Sequence, residues 1–398
     1  MAKGAGSVGV RQDMGKIKFP ASAGIHGTFD ARFRPMAEVM QAIFEDGDEL
    51  GGSLGMTWRG KPVVDLWAGW SDRARTRPWQ KDTVVQVYSI SKLMILMCIL
   101  RLVDRGDLAL DLPIAVWWPE FAAGGKEKVT LRDVMARRDG VPGFRPPVSF
   151  EDLHDWKRIT DQLAAQPHWF DGRPELCYQP VALGYVLGET VRRATGKTLR
   201  TLFRDEFARK TGADFQMGLT RRSDLARLAE LDFPKVIPRR GASIGDEVNT
   251  STGVGDWSSW DRITADIPSS NAYGNGRSIA RLLAILAMRG KPGLRRYISR
   301  EAVAEAGRVQ AEGIDHYIGP VRYGLMVGLD NPALPAPSAS SMHWGGIGGS
   351  WGIADPVAGL SVGWAPNRMI FSEAGPLGDT RLASLVDTLT DLIPNLPQ

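Results

Sequence analysis

The stretch Val85-Gln86-Val87-Tyr88-Ser89-Ile90-Ser91-Lys92-Leu93-Met94-Ile95-Leu96-Met97-Cys98-Ile99-Leu100 decides how this chain is read. It sets a serine at the mouth of an apolar helix and a lysine three residues later. Three residues is close to one helical turn, so Ser89 and Lys92 share a face. No other serine in the chain has a lysine at that offset. Every residue from 93 to 100 is apolar, a pattern that buries a helix around most of its circumference. A lysine on the first turn of such a helix is costly unless it has partners or gives up its proton. An uncharged lysine beside a hydroxyl is one way to make a nucleophile. The free amide groups at a helix N-terminus favour negative charge on a substrate. The plainer alternative is a serine that only caps the helix and a lysine that snorkels to solvent. The rest of the chain has to decide between them.

Composition narrows the classes. The chain has 398 residues, 43% apolar and 24% charged, as in globular enzymes, and its length suits roughly two domains. The net charge is +4 and the pI near 9.0. The arginine pairs Arg137-Arg138, Arg221-Arg222, Arg239-Arg240 and Arg295-Arg296 are dispersed along the chain, which argues against a nucleic-acid partner. Cys98 and Cys177 make neither a disulfide framework nor a Cys/His metal site, and no cofactor motif is present. Residues 1–25 form a Gly-, Lys- and Ala-rich arm without a continuous apolar core. No run reaches membrane-spanning length, so the expectation is a cytoplasmic location with no membrane partner.

Outward from the central stretch, strand patterns sit at both ends of the chain. Residues 35–44 have helical spacing, followed by a hairpin of residues 53–58 and 62–68 around Arg59-Gly60. Near the C-terminus, strand signals appear at 323–328, 342–354 and 360–364, and a helix at 382–393. Between them, residues 131–138, 181–195, 199–210 and 278–288 read as helices, and 232–276 as a long surface loop. The fold class is therefore α+β. An antiparallel sheet built from both termini is covered by the first and last helices, with an inserted, mostly helical domain. The expected boundaries are an arm at 1–25, an α/β domain of 26–106 and 311–398, and a helical insertion at 107–310. A site at their junction would receive Ser89.

Three ordered motifs then carry a resemblance: Ser89-Ile90-Ser91-Lys92, Tyr178 in Leu176-Cys177-Tyr178-Gln179-Pro180, and Trp344-Gly345-Gly346 on a C-terminal strand. With the flanks at 61–92, 102–111, 188–196 and 345–367, the chain resembles the serine β-lactamase and penicillin-binding-protein superfamily. Within it, the class C-like esterases, the family VIII carboxylesterases, are the most similar. The resemblance implies Ser89 as nucleophile, Lys92 as the group that takes or relays its proton, and Tyr178 as proton donor to the leaving group. A lysine ammonium nearby would lower the pKa of that phenol. It also implies an oxyanion hole from the backbone N–H groups of Ser89 and Ile347, with Trp344, Gly345 and Gly346 against the substrate. Two departures bear on the substrate. Pro180 stands where many β-lactamases have an asparagine, and offers no side-chain donor to an acylamide. Trp344 stands where many members have a lysine, so an uncharged acyl or alkyl group is the expected ligand. His343 precedes the motif, and strand alternation turns it to the opposite face from Trp344, as a structural residue.

A rival signature, G-x-S-x-G, occurs around Ser53, Ser243 and Ser350. The serine elbow it denotes needs a strand before and a helix after, and none of the three has both. The expected activity is hydrolysis of carboxylic esters through an acyl-enzyme on Ser89. Transfer of the acyl group to an alcohol or amine, β-lactamase or D-aminopeptidase activity, and a silent binding protein remain as alternatives. The partners are a small-molecule ester or acyl donor and, for transfer, an amine or alcohol acceptor.

Overall fold

The structure is a computed structural model and describes residues 24–235, 259–332, 335–371 and 379–397. Most of the arm and the loop serine Ser243 lie outside the described residues. The strands are β1 (His26–Phe29), β2 (Gly51–Trp58), β3 (Lys61–Gly69), β4 (Val85–Gln86), β5 (Gln216–Met217), β6 (Ala272–Gly274), β7 (Ala311–Asp315), β8 (Gly319–Tyr323), β9 (Met342–Gly345), β10 (Trp351–Asp355) and β11 (Leu360–Pro366). The helices that matter for the site and its support are α1 (Arg34–Glu45), α2 (Ser91–Asp104), α3 (Leu131–Met135), α4 (Ala182–Thr195), α5 (Gly276–Ala287) and α6 (Thr380–Leu392).

The main sheet is antiparallel, in the order β1-β3-β2-β11-β10-β9. Its two halves come from the two ends of the chain and meet where Leu54 of β2 opposes Trp364 of β11. The β2–β3 turn carries Arg59 and Gly60 with φ of 50° and 73°, the paired left-handed geometry that suits the twist of a two-residue hairpin. On one face, Met36, Met40 and Ile43 of α1 and Leu382, Leu385 and Leu389 of α6 pack over Leu54, Leu66, Val362 and Trp364. These are the first and last helices anticipated from the sequence.

The opposite face is taken by α5, which lies within the stretch read as a helical insertion. Gly55, Gly363 and Gly352 stand in register across β2, β11 and β10, and this bare row admits the helix. A Cβ on Gly55 would sit 2.5 Å from Arg277 Cα, and one on Gly363 2.6 Å from Ile279 Cβ. Ser53 Oγ accepts from Gly276 N at 2.9 Å, and Arg277 pairs with Asp65 at 2.9 Å, which fixes the start of α5 on the sheet. Two of the G-x-S-x-G runs thus supply small residues for helix packing.

Three local readings change. The helix expected over 131–138 ends at Met135, because Arg137 is left-handed with φ 63°. The strand expected at 323–328 ends where it was to begin: β8 stops at Tyr323, and Gly324 N closes a tight turn onto Val327 O. Its hairpin partner β7 was not anticipated. The surface loop of 232–276 holds, in its described part, the helix Trp260–Thr264 and strand β6, with Ser269 and Asn271 fully buried. Cys98 and Cys177 are both free and buried. Among the described residues no helix is long and apolar enough to cross a membrane, and no group of His, Cys, Asp or Glu could hold a metal ion.

Candidate active site

Ser89 is held from three sides. The preceding strand β4 pairs with β6, and Val87 N donates to Ala272 O at 2.8 Å. Ser350, in the β9–β10 turn, donates its hydroxyl to Val87 O at 2.9 Å. Tyr88 turns the chain from strand to helix in a left-handed conformation, φ 46°, a strain of about 1–2 kcal/mol that the surrounding contacts must hold. Ser89 then lies in a short 3-10 turn, Tyr88–Ile90, that leads straight into α2. Ser91 through Leu100 of α2 are buried, and each fully buried Leu, Ile or Met contributes about 1.5–3 kcal/mol to keeping the helix in place.

The structure brings the three separated motifs together. Lys92 Nζ lies 3.0 Å from Ser89 Oγ, and the Tyr178 hydroxyl donates to that same oxygen at 2.9 Å. Lys92 has no exposed surface. Its remaining neighbours are two carbonyls: Nζ donates to Pro180 O at 2.8 Å and Ser269 O at 3.0 Å. Among the described residues no carboxylate pairs with it. Burial, assisted by the Arg137 guanidinium, pushes its pKa well below the ordinary lysine value. The snorkelling alternative is thereby removed.

Tyr178 departs from expectation. Its pKa is raised, not depressed. Burial dominates, while the Arg137 guanidinium and the hydrogen bond to Ser89 only oppose it. The same dry surroundings disfavour the ammonium invoked to acidify it. The phenol belongs to a cluster: its ring lies 5.2 Å from Trp344 and 5.6 Å from Tyr317. The loop behind it is tied down by Cys177 N donating to Arg137 O at 3.0 Å. Gln179 Nε2 also donates to Asp139 Oδ1 at 2.6 Å.

The third motif stands where expected. Gly345 ends β9 and Gly346 N donates to Ser350 O at 2.8 Å. A Cβ on Gly346 would run into Ser350 Oγ and Val87 O, so the close approach to the serine's own strand requires glycine. Ile347 is 38% exposed beside this turn, and its N–H has no acceptor among the described residues. Trp344 is buried and packed between Tyr178 and Tyr323, while His343 points away, against Trp351 at 6.3 Å. Burial lowers the His343 pKa to about 4, so it is uncharged at neutral pH.

Two groups were missed in the sequence. Ser269 contributes only a main-chain carbonyl, which leaves no residue-type signal. Arg137 sits 4.7 Å above the Tyr178 ring, 4.2 Å from the Trp344 ring and 5.1 Å from that of Tyr323. It was visible only as half of an arginine pair.

Comparison with known proteins gives the family and the fold. The family model described as Beta-lactamase matches residues 34–387. The chain is 29% identical over 367 residues to Esterase/beta-lactamase LipL of Mycobacterium tuberculosis, covering 87% of this chain and 83% of that protein. The crystal structure of a family VIII carboxylesterase superposes with a TM-score of 0.85 at 33% identity, covering 92% of this chain and 99% of the other. A penicillin-binding-protein homologue from Caulobacter crescentus gives 0.83 at 30% identity, with coverage of 92% and 99%. With residues 34–387 matched by that family model, the chain belongs to the beta-lactamase family.

Proposed function

We propose that this protein is a serine hydrolase that cleaves carboxylic esters through an acyl-enzyme on Ser89. The observation that carries this reading is the position of Ser89 Oγ, 3.0 Å from Lys92 Nζ and 2.9 Å from the Tyr178 hydroxyl. The esterase names of the relatives LipL and the family VIII carboxylesterase support the substrate class.

Hydrogen-bond capacity gives the direction of proton flow. An uncharged lysine has two N–H donors and one lone pair. Carbonyls can only accept, so Pro180 O and Ser269 O take both donors. The lone pair is left for the Ser89 hydroxyl, which donates to it while accepting from Tyr178. Attack forms the bond from Oγ to the ester carbonyl carbon, and the hydroxyl proton passes to Lys92. Collapse breaks the carbon–oxygen bond of the leaving alcohol. That oxygen takes the Tyr178 proton, and the Lys92 ammonium, which flanks the same serine oxygen, returns a proton to the phenolate. The N–H groups of Ser89 and Ile347 stabilise the tetrahedral oxyanion, a contribution that is often worth about 3–4 kcal/mol per donor. Water then cleaves the acyl-enzyme by the reverse relay. A phenol with a raised pKa suits a proton donor better than a base, and Tyr178 takes that role here.

Turnover of p-nitrophenyl butyrate, lost in Ser89→Ala, tests the reading; no turnover of any aryl ester by the wild type refutes it. Added alcohol or amine, with the acyl product analysed, separates hydrolysis from acyl transfer.

A further inference from the structure

Arg137 is the least expected charge in the molecule. Only 1% of it is exposed, yet no carboxylate pairs with it among the described residues. One guanidinium nitrogen, Nη2, donates to Met326 O at 3.3 Å, while Nε and Nη1 find no acceptor. The group is held by rings instead: Trp344, Tyr178 and Tyr323 lie within 4.2–5.1 Å of its central carbon. Its own backbone is left-handed, φ 63°. Burying an unpaired cation and straining the residue that carries it both cost stability.

We propose that Arg137 is a positioning residue that sets the charge of the nucleophile's base. By this reading its fixed, buried cation forbids a second cation at Lys92. The inference rests on the acyl-enzyme reading of Ser89. Both Lys92 Nζ, at 5.1 Å, and Arg137, at 4.7 Å, approach the centroid of the same Tyr178 ring. The two cations would therefore lie within about 10 Å of each other in a region without bulk water. Arginine suits the task because a guanidinium keeps its charge where a lysine or histidine would discharge.

Either partner of the Lys92–Tyr178 pair can hold the proton without changing the effect of Arg137. Neutral Lys92 with a phenol, and ammonium with a phenolate, contain the same number of protons and the same net charge. Arg137 acts on the step that adds one more proton, which makes ammonium plus phenol and silences the base. Two unit charges about 10 Å apart, at an effective dielectric near 20, change proton affinity by roughly tenfold, or about one pH unit. Other charges face the same cluster. Asp315 accepts from the Tyr323 hydroxyl at 3.1 Å and from Tyr317 N and Ile318 N. Asp139, two residues from Arg137, has its carboxyl pushed up to about 7 by burial. The Cys177 thiol is raised by burial, and Arg138 is engaged by Asp133 at 2.7 Å. None of these neutralises Arg137 directly.

The test is the pH dependence of Ser89 labelling by a fluorophosphonate, which reports the nucleophile without needing the natural substrate. In Arg137→Gln the acid limb should move up by at least about one pH unit, and labelling below the midpoint should fall about tenfold. Arg137→Met, whose flexible apolar side chain fits between the rings, serves if the glutamine variant does not fold. Asp139→Asn in parallel identifies any part of the limb that belongs to that carboxyl. A folded neutral variant that labels more slowly, with its midpoint unmoved, shows that Arg137 only props up the aromatic cluster and overturns the proposal. A wild type that never labels at Ser89 removes the acyl-enzyme reading, and this inference with it.

Discussion

Replacing Lys92 by methionine separates the chemistry of the amine from its cost to the fold. Lys92 is fully buried and its pKa in the folded protein lies well below the ordinary lysine value of 10.5. In the unfolded chain the amine is protonated below about 10.5; in the folded chain it stays neutral until the lowered pKa is reached. The unfolded state therefore binds more protons in that window. Wild-type stability must fall as pH falls through it, by about 1.4 kcal/mol per pH unit. If Lys92 is still neutral at pH 7, wild type loses about 2.7 kcal/mol between pH 9 and pH 7 that Lys92→Met does not lose. Methionine also leaves Ser269 O without a donor among the described residues, at about 1–3 kcal/mol, and Pro180 O with only the Ser270 hydroxyl at 3.5 Å. That loss is the same at both pH values and drops out of the comparison. The assay is urea unfolding of both proteins at pH 7 and pH 9, with esterase activity alongside. The variant's stability relative to wild type should improve by 2–3 kcal/mol on going from pH 9 to pH 7, while kcat falls by roughly 10²–10⁴-fold or more. A stability difference that does not change with pH means the lysine is charged in the fold and is no uncharged base for Ser89.

Other changes should read as follows. Ser89→Ala should abolish ester turnover, whereas Ser53→Ala should keep it within about threefold, since Ser53 only accepts from the start of α5; comparable rates in the two variants would locate the nucleophile elsewhere. Tyr178→Phe keeps the ring against Trp344 and Arg137 but removes the proton donor to Ser89. Its kcat should drop about 10²–10⁴-fold with little change in thermal unfolding, and a near-normal kcat would remove Tyr178 from the relay. Asp139 has a folded pKa raised to about 7, so its stabilising contribution is present at pH 4 and lost as pH rises through 7. Asp139→Asn, which can still accept from Gln179, should therefore gain melting temperature over wild type at pH 8 and not at pH 4. Gly55→Ala pushes a methyl group into the Arg277 backbone and should destabilise by about 1–3 kcal/mol, seen as a lower melting temperature; an unchanged value would mean that α5 is free to lift.

What could be read from the sequence was local or rested on resemblance. The Ser89–Lys92 offset and the apolar run behind it are visible in one helical turn, and the β2–β3 hairpin in its turn residues. Tyr178 is far from Ser89 in the chain, and only the ordered motifs of the family pointed to it. Side-chain spacing cannot reveal a main-chain acceptor, so Ser269 was hidden in a stretch that read as surface loop. Arg137 was hidden differently. A cation satisfied by ring faces leaves no opposite charge at helical or strand spacing, and its left-handed backbone ends α3 earlier than the apolar pattern suggests. The β7–β8 hairpin, with its glycines and charges, lacks clean alternation and went unseen.

The proposed attack of Ser89 on an acyl carbon depends on an uncharged Lys92. Peptide mass mapping after rapid acid quench during p-nitrophenyl butyrate turnover tests it most directly. A butyryl group is expected on Ser89 in the wild type and none in Lys92→Met at pH 7. An acyl group on another residue, or the same occupancy of Ser89 without the lysine, would contradict it.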